Sequence, residues 1–405
     1  MVRDKGLRAV VVGAGITGLT SACRLAESGY RVTVIEARDG PGDGSSHANA
    51  GQLLFDRVSA MGSPGFLKSL PKTLADRSQG VGALGLAAPG NWPWALAFLR
   101  QCSASAWRRN TRDMLELARL SKPAFHGFLD RHPLAFDWRR PGKLIVHPTE
   151  AALAAAARTA DFQARFGGRH AVLTAEETLA REPALQGTAR PIAGAIHLPD
   201  AELGDCRAFC AGLVGVLRDR LGGEVRFGTK ATGLVRRNGL VQALATPQGD
   251  IPADLFVLAT GRAAELLPRF RGRKPLVGVR GVSLTYPAGP AAPELSVTDA
   301  GGKFVVLRLG DRVRVAGFAA FTDDTTPTDA ECALLRDKGR SLMPGAAEYD
   351  AAPEAWAGLR PQTPDDLPMI GRAGADNLFV TAGQGSLGWT FAFGSAERLL
   401  QAVAQ

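Results

Sequence analysis

The sequence is short of the features that mark several protein classes. Its five cysteines (Cys23, Cys102, Cys206, Cys210 and Cys332) are odd in number and scattered. That excludes a disulfide framework and points to a reducing compartment. The six histidines are dispersed, with no H-x₃-H pair, so no structural metal is expected. No apolar stretch runs uninterrupted far enough to cross a bilayer. Residues Met1 to Arg8 are polar and contain no apolar h-region, so no signal peptide is expected. Internal repeats and low-complexity linkers are also missing.

What remains is an ordinary globular composition. The 405 residues are 45% hydrophobic and 21% charged, enough for a sizeable core in two domains. The formal charge is +9, but the basic residues form no long run and no nucleic-acid motif. Nucleic acid is therefore not an expected partner.

RAVVV (8–12) predicts a buried strand, 17–28 a helix, and RVTVIE (31–36) a second strand, together a β–turn–α–β unit. Helices are expected from about 93 to 135, over 150–166 and 174–182, and after an Asp205 N-cap. GKLIVH (142–147), EVRFG, LVRR, LVQALAT, DLFVLATG, KFVVLRL, RVRVAGF and NLFVTAG predict strands, and a final helix closes the chain. The expected fold class is α/β with two domains. A discontinuous Rossmann-like unit takes residues 1–80, 203–270 and 355–405. An antiparallel-sheet unit takes 81–202 and 271–354.

VVVGAGITG places Gly13, Gly15 and Gly18 in G-x-G-x-x-G spacing between the first strand and helix. This suits a tight turn, backbone approach to a pyrophosphate, and close helix–strand packing. The helix N-terminus supplies amide donors and a positive dipole. Glu36 ends the second strand, where a carboxylate can hold both ribose hydroxyls of an adenosine. The dense small residues of GDGSSHANAGQL (42–53) suit a loop wrapped around a second phosphate and a ring.

Six blocks together resemble the D-amino-acid oxidase superfamily, and within it the D-amino-acid dehydrogenase small-subunit type. They are VVVGAGITGLTSACRLAESGYRVTVIEA, SSHANAGQL, LPDAELGDC, ATG, GLRPQTPDDLPMIG and TAGQGSLGWTFAFGSA. The last two, in this order near the C-terminus, are the most specific. The resemblance implies FAD in an extended pose. Gly13, Ala14, Gly15, Thr17 and Gly18 would hold the pyrophosphate, with Glu36, Ala37 and Arg38 beside the adenosine ribose. Ser45, Ser46, Asn49, Gly51 and Gln52 would lie along the flavin, and Ala231 would meet the adenine. Ala259, Thr260 and Gly261 would pass the pyrophosphate. Gly358, Gly383, Gly385, Ser386, Leu387, Gly388, Trp389 and Thr390 would approach the ring. With no cysteine in the two C-terminal blocks, non-covalent FAD is expected.

Arg360, in GLRP, can clamp a substrate carboxylate with two parallel charge-assisted bonds. In this family that arginine orients the substrate, which implies hydride transfer from Cα to the flavin. Gln384 stands where many relatives carry histidine. It keeps hydrogen bonding and loses a titrating group. Tyr286, on the antiparallel sheet, is a candidate pocket residue, with a core tyrosine as the equal alternative. His47 either reaches the substrate or caps its loop, and Arg280 supports the sheet in preference to approaching the substrate.

The implied reaction is oxidative deamination of small D-amino or imino acids, with a quinone or carrier protein taking the electrons. D-proline or D-hydroxyproline oxidation, sarcosine or glycine oxidation, and a non-catalytic FAD-binding subunit stand as alternatives. A flavin enzyme acting on RNA is disfavoured by Arg360. The expected location is cytoplasmic, with peripheral contact at the inner face of the membrane. Trp92, Trp94 and the cations Arg108, Arg109 and Arg112 would mediate that contact, unless the segment packs into the second domain with its tryptophans in the core, the slightly favoured alternative.

Overall fold

A computed structural model describes residues 6–67, 81–82, 88–261 and 266–405. The first strand, Arg8–Val12, is buried on both faces, as a near-continuous apolar run requires at the centre of a parallel sheet. It pairs in parallel with Arg31–Ile35 and with Leu255–Leu258. The full six-strand order is Met369–Ala375, Leu378–Ala382, Leu255–Leu258, Arg8–Val12, Arg31–Ile35, Glu224–Arg226, with only the first of these antiparallel to its neighbour. The helices Ile16–Glu27, Cys206–Gly215 and Gly388–Val403 cover one face, sharing a core with Leu19, Phe209 and Phe393. Asp205 caps the second of these helices, accepting from the amides of Arg207 and Ala208.

The second sheet has nine strands. Its main path runs Glu354–Gln362, Val277–Pro287, Arg312–Phe321, Phe304–Leu309, Ser296–Asp299, Lys143–His147, Gly194–Leu198, Ala171–Thr174. Pairing along this path is antiparallel except between Ser296–Asp299 and Lys143–His147. The helix Asp329–Leu342 packs on it around Leu284, Val315 and Leu335.

The unit boundaries follow the sheets rather than blocks of sequence. Strand Glu354–Gln362 pairs along its whole length with Val277–Pro287, so it serves the second sheet, not the Rossmann-like one. The long helix Ala104–Arg131 sends Phe125 and Phe128 into the Rossmann-side core. The expected boundary at residue 80 lies outside the described residues.

Candidate active site

The turn after the first strand is built for close approach. Gly13 has φ 111°, and a Cβ there would stand 2.5 Å from the Ala259 carbonyl oxygen. A Cβ on Gly18 would stand 1.9 Å from the Gly13 carbonyl oxygen, so the helix seats directly on the turn. Gly15 occupies the N-cap position without a capping side chain. Glu36 accepts from the amide of Ala14 at 2.7 Å and from that of Arg38 at 3.0 Å, which fixes its carboxylate beside the turn.

The loop 45–54 is stapled to both sheets. Ser46 Oγ accepts from the amide of Ile16 at 3.1 Å, and Ser45 Oγ donates to the Leu359 carbonyl. Ser283 Oγ donates to the Ala48 carbonyl at 2.8 Å. Arg314, almost fully buried, donates to the Asn49 carbonyl at 2.9 Å and to Thr285 Oγ1 at 3.0 Å. Gln52 and Leu53 pair with Leu203 and Glu202, and the Leu54 amide donates to Thr390 Oγ1 at 3.2 Å.

Between these elements lies a cavity of about 1210 Å³. It runs from Glu36 and Ala231, past Gly13, Gly15 and Thr260, to the start of the last helix at Gly388–Thr390. An acid-ended strand at one end, glycine-lined backbone in the middle and a helix N-terminus at the other suit an extended FAD. Of the expected cofactor residues, only Ala14, Gly18 and Gly383 do not line it. Gly18 acts behind the wall, through packing.

Arg360 enters the cavity from strand Glu354–Gln362, opposite Val279. Its Nη1 donates to the Phe318 carbonyl at 2.9 Å. Phe318 has φ 67°, a backbone conformation rare for a bulky residue. It sits where the register between Val277–Pro287 and Arg312–Phe321 slips, a bulge that directs its carbonyl to the guanidinium. Burial lowers the Arg360 pKa, and no carboxylate pairs with it among the described residues. A half-buried cation with one carbonyl partner and open cavity beside it is arranged to receive an anion.

Gln384 is buried, lines the cavity and donates to Thr381 Oγ1 at 2.9 Å. Arg280 is fixed away from it by Asp324, the Thr326 carbonyl and Glu331. Tyr286 stands elsewhere than expected. It is 1% exposed, packs edge-on against Tyr349 and lines no part of the cavity, and burial pushes its hydroxyl up to about 12. On its strand Ser283 and Thr285 turn toward the loop 45–54, so residue alternation sends Tyr286 into the opposite core. His47 also misses the cavity wall. It contacts Glu354 at 3.2 Å and Asp43 at 3.5 Å and stacks on Trp356.

Sequence reasoning passed over Trp356, Lys143, Gly281 and the Phe318 carbonyl. Trp356 lines the cavity and lies over Gly358, where a Cβ would come 2.0 Å from its ring. Its position four residues before Arg360, and the glycine between them, is the one signal that could have found it.

Among the described residues no helix is long and apolar enough to cross a membrane, and no His/Cys/Asp/Glu group is placed to hold a metal. The family model for FAD dependent oxidoreductases matches residues 8–402. The chain is 37% identical to D-amino acid dehydrogenase 2 of Ralstonia nicotianae, covering 98% of this chain and 97% of that protein. It is 38% identical to D-amino acid dehydrogenase 2 of Pseudomonas aeruginosa, covering 98% and 95%. Among solved structures, glycine oxidase from Bacillus cereus aligns with a TM-score of 0.76 at 18% identity, over 98% of this chain and 95% of that one. L-proline dehydrogenase from P. horikoshii aligns at 0.74 and 18%, over 98% and 92%. With the family model spanning both sheets and the whole cavity, the chain belongs to the FAD dependent oxidoreductases.

Proposed function

We propose that the chain oxidises small D-amino acids to 2-oxo acids and ammonia and passes the electrons to a quinone or a carrier protein. The observation that carries this reading is Arg360, a cavity-facing guanidinium held by one carbonyl and lacking a carboxylate partner among the described residues. Relatives named D-amino acid dehydrogenase, at up to 38% identity over almost the full length, support the choice of substrate class.

Arg360 binds the substrate carboxylate through paired hydrogen bonds and so sets the direction of Cα–H. Bound FAD supplies a hydride acceptor. Trp356 closes the cavity beside Arg360 and limits water there. Gln384 can hydrogen-bond but cannot take a proton, so the substrate must arrive at the reacting geometry with its amine neutral. FAD is held without a covalent bond. Cyclic D-imino acids form the second reading, because the clamp acts on the carboxylate and is indifferent to ring closure at the amine.

Incubation with D-alanine and a soluble quinone analogue tests the proposal. Pyruvate and ammonia should appear in equal amounts. Absence of both with every D-amino and D-imino acid tried would overturn it.

A further inference from the structure

Lys143 opens the strand Lys143–His147 and reaches the cavity at 6% exposure. Its Nζ donates to Gln52 Oε1 at 2.8 Å, and Gln52 Nε2 in turn donates to Ser296 Oγ. Gln52 belongs to the stretch whose next residue but one, Leu54, bonds to Thr390 at the start of the last helix. Lys143 therefore faces the Gln384–Thr390 end of the cavity, away from Glu36 and Ala231.

Among the described residues, none around it offers a free counter-charge. Arg57 on the loop after Leu53 is a like charge. Asp56 is taken by Lys122 at 2.6 Å, and Glu202 by His126 and Trp138. On the adjoining strands Asp299 pairs with Arg190, while burial holds both His197 and His147 toward the neutral form. On the packed helix Glu150–Ala164, Asp161 lies 3.2 Å from His170, and Arg158 adds only like charge. A buried ammonium without a partner is costly, so the amine stays easy to deprotonate. Burial, followed by the field of Arg57, brings it down to about 7.

The strand of Arg360 and that of Lys143 are five places apart in the sheet. At the usual strand spacing this is roughly 24 Å measured along the sheet. Arg360 and Lys143 thus enter the same cavity from well-separated strands. What changes at the Lys143 end is the charge of the ring, because reduction leaves flavin negative.

We propose that Lys143 takes up a proton from solvent when the flavin is reduced, so that its ammonium becomes the counter-charge of the reduced ring. Two electrons and one proton convert the ring to its singly protonated, anionic reduced form. A second proton goes onto the Lys143 amine, and reoxidation releases both. This inference rests on the cofactor and not on the identity of the substrate.

The test is a potentiometric titration of the FAD-loaded protein with a chemical reductant, from about pH 7 to about pH 9. The reduction constant of the natural protein should fall hundredfold per pH unit, about 59 mV for a two-electron couple. Lys143→Met should fall tenfold, about 30 mV per unit. Lys143→Arg, permanently charged, should share the shallow slope at a higher potential throughout. Lys143→Gln, also neutral, gives the same reading should Lys143→Met lose FAD. A one-proton slope in the natural protein, or equal slopes in it and the neutral variants, would overturn the proposal.

Discussion

The guanidinium of Arg360 lies against Gly281, and a Cβ at that glycine would stand 2.3 Å from Arg360 Nη2. The missing side chain is the space the clamp occupies. Gly281→Ala should displace the guanidinium while leaving the cofactor turn untouched. We expect kcat/KM for D-amino acids to fall about 10–100-fold, the scale of a small misplacement of a binding group. FAD content, read from the visible spectrum, should not change. Unaltered kinetics would show that Arg360 tolerates being moved.

Arg360→Ala removes the clamp itself. The loss should be roughly 2–5 kcal/mol of substrate binding, by analogy with buried charge pairs. Arg360→Lys should recover part of it, since an ammonium offers a point charge and no fork. Steady-state kinetics with FAD-saturated protein would measure both. Equal activity of all three forms would mean that another group binds the carboxylate.

FAD should leave the chain intact on acid treatment. The described residues around the ring end offer Gln384, Ser386 and Trp389 and no cysteine. Mass spectrometry of the denatured chain should give the mass of the polypeptide alone. A flavin adduct would refute non-covalent binding.

Burial lifts the Asp366 carboxyl from 3.8 to about 6, although it accepts from the Met61 amide at 2.7 Å. A raised acid costs stability as it ionises, so the contribution is fully present below about 3.8 and is lost as pH rises through about 6. Melting of the natural protein relative to Asp366→Asn should therefore worsen across that window and level off above it. A gap that stays constant across the window would contradict the assignment.

Much of the cofactor half was legible because its signals are local. Strand, glycine turn, helix and Glu36 lie within a single short stretch, and Asp205 announces its helix by type and place. The substrate half depends on register between distant strands. Gly281 matters because Arg360, two residues on from its strand partner Gly358, lies over it, and Phe318 because a bulge turns its carbonyl to Arg360. Tyr286 was misjudged because its strand is buried on both faces, so hydrophobicity alone does not tell cavity from core. Lys143 is one residue of the expected strand GKLIVH, and only its burial beside Gln52 sets it apart.

In the region expected to meet a membrane, the exposed apolar face is not the tryptophan pair. Trp94 is 1% exposed, stacks on Phe98 and donates to the Gln362 carbonyl at 2.9 Å, so it is core. Trp92, Leu96 and Leu99 are exposed at 56%, 60% and 50%, on one side of the helix Trp92–Gln101. Residues 83–87 of the apolar segment lie outside the described residues. We predict that the protein floats with anionic liposomes at low salt and that Leu96→Glu with Leu99→Glu abolishes flotation. Failure of the natural protein to float would remove this contact from the account.

The central claim is that a carboxylate held at Arg360 delivers its Cα hydrogen to FAD. Anaerobic mixing of the FAD-loaded protein with D-alanine or D-proline, followed by visible absorption, tests it most directly. At least one of the two should bleach the oxidised-flavin band, with the L-enantiomers inert and Arg360→Ala slow. A spectrum that stays oxidised with both D-substrates, yet bleaches with dithionite, would contradict it.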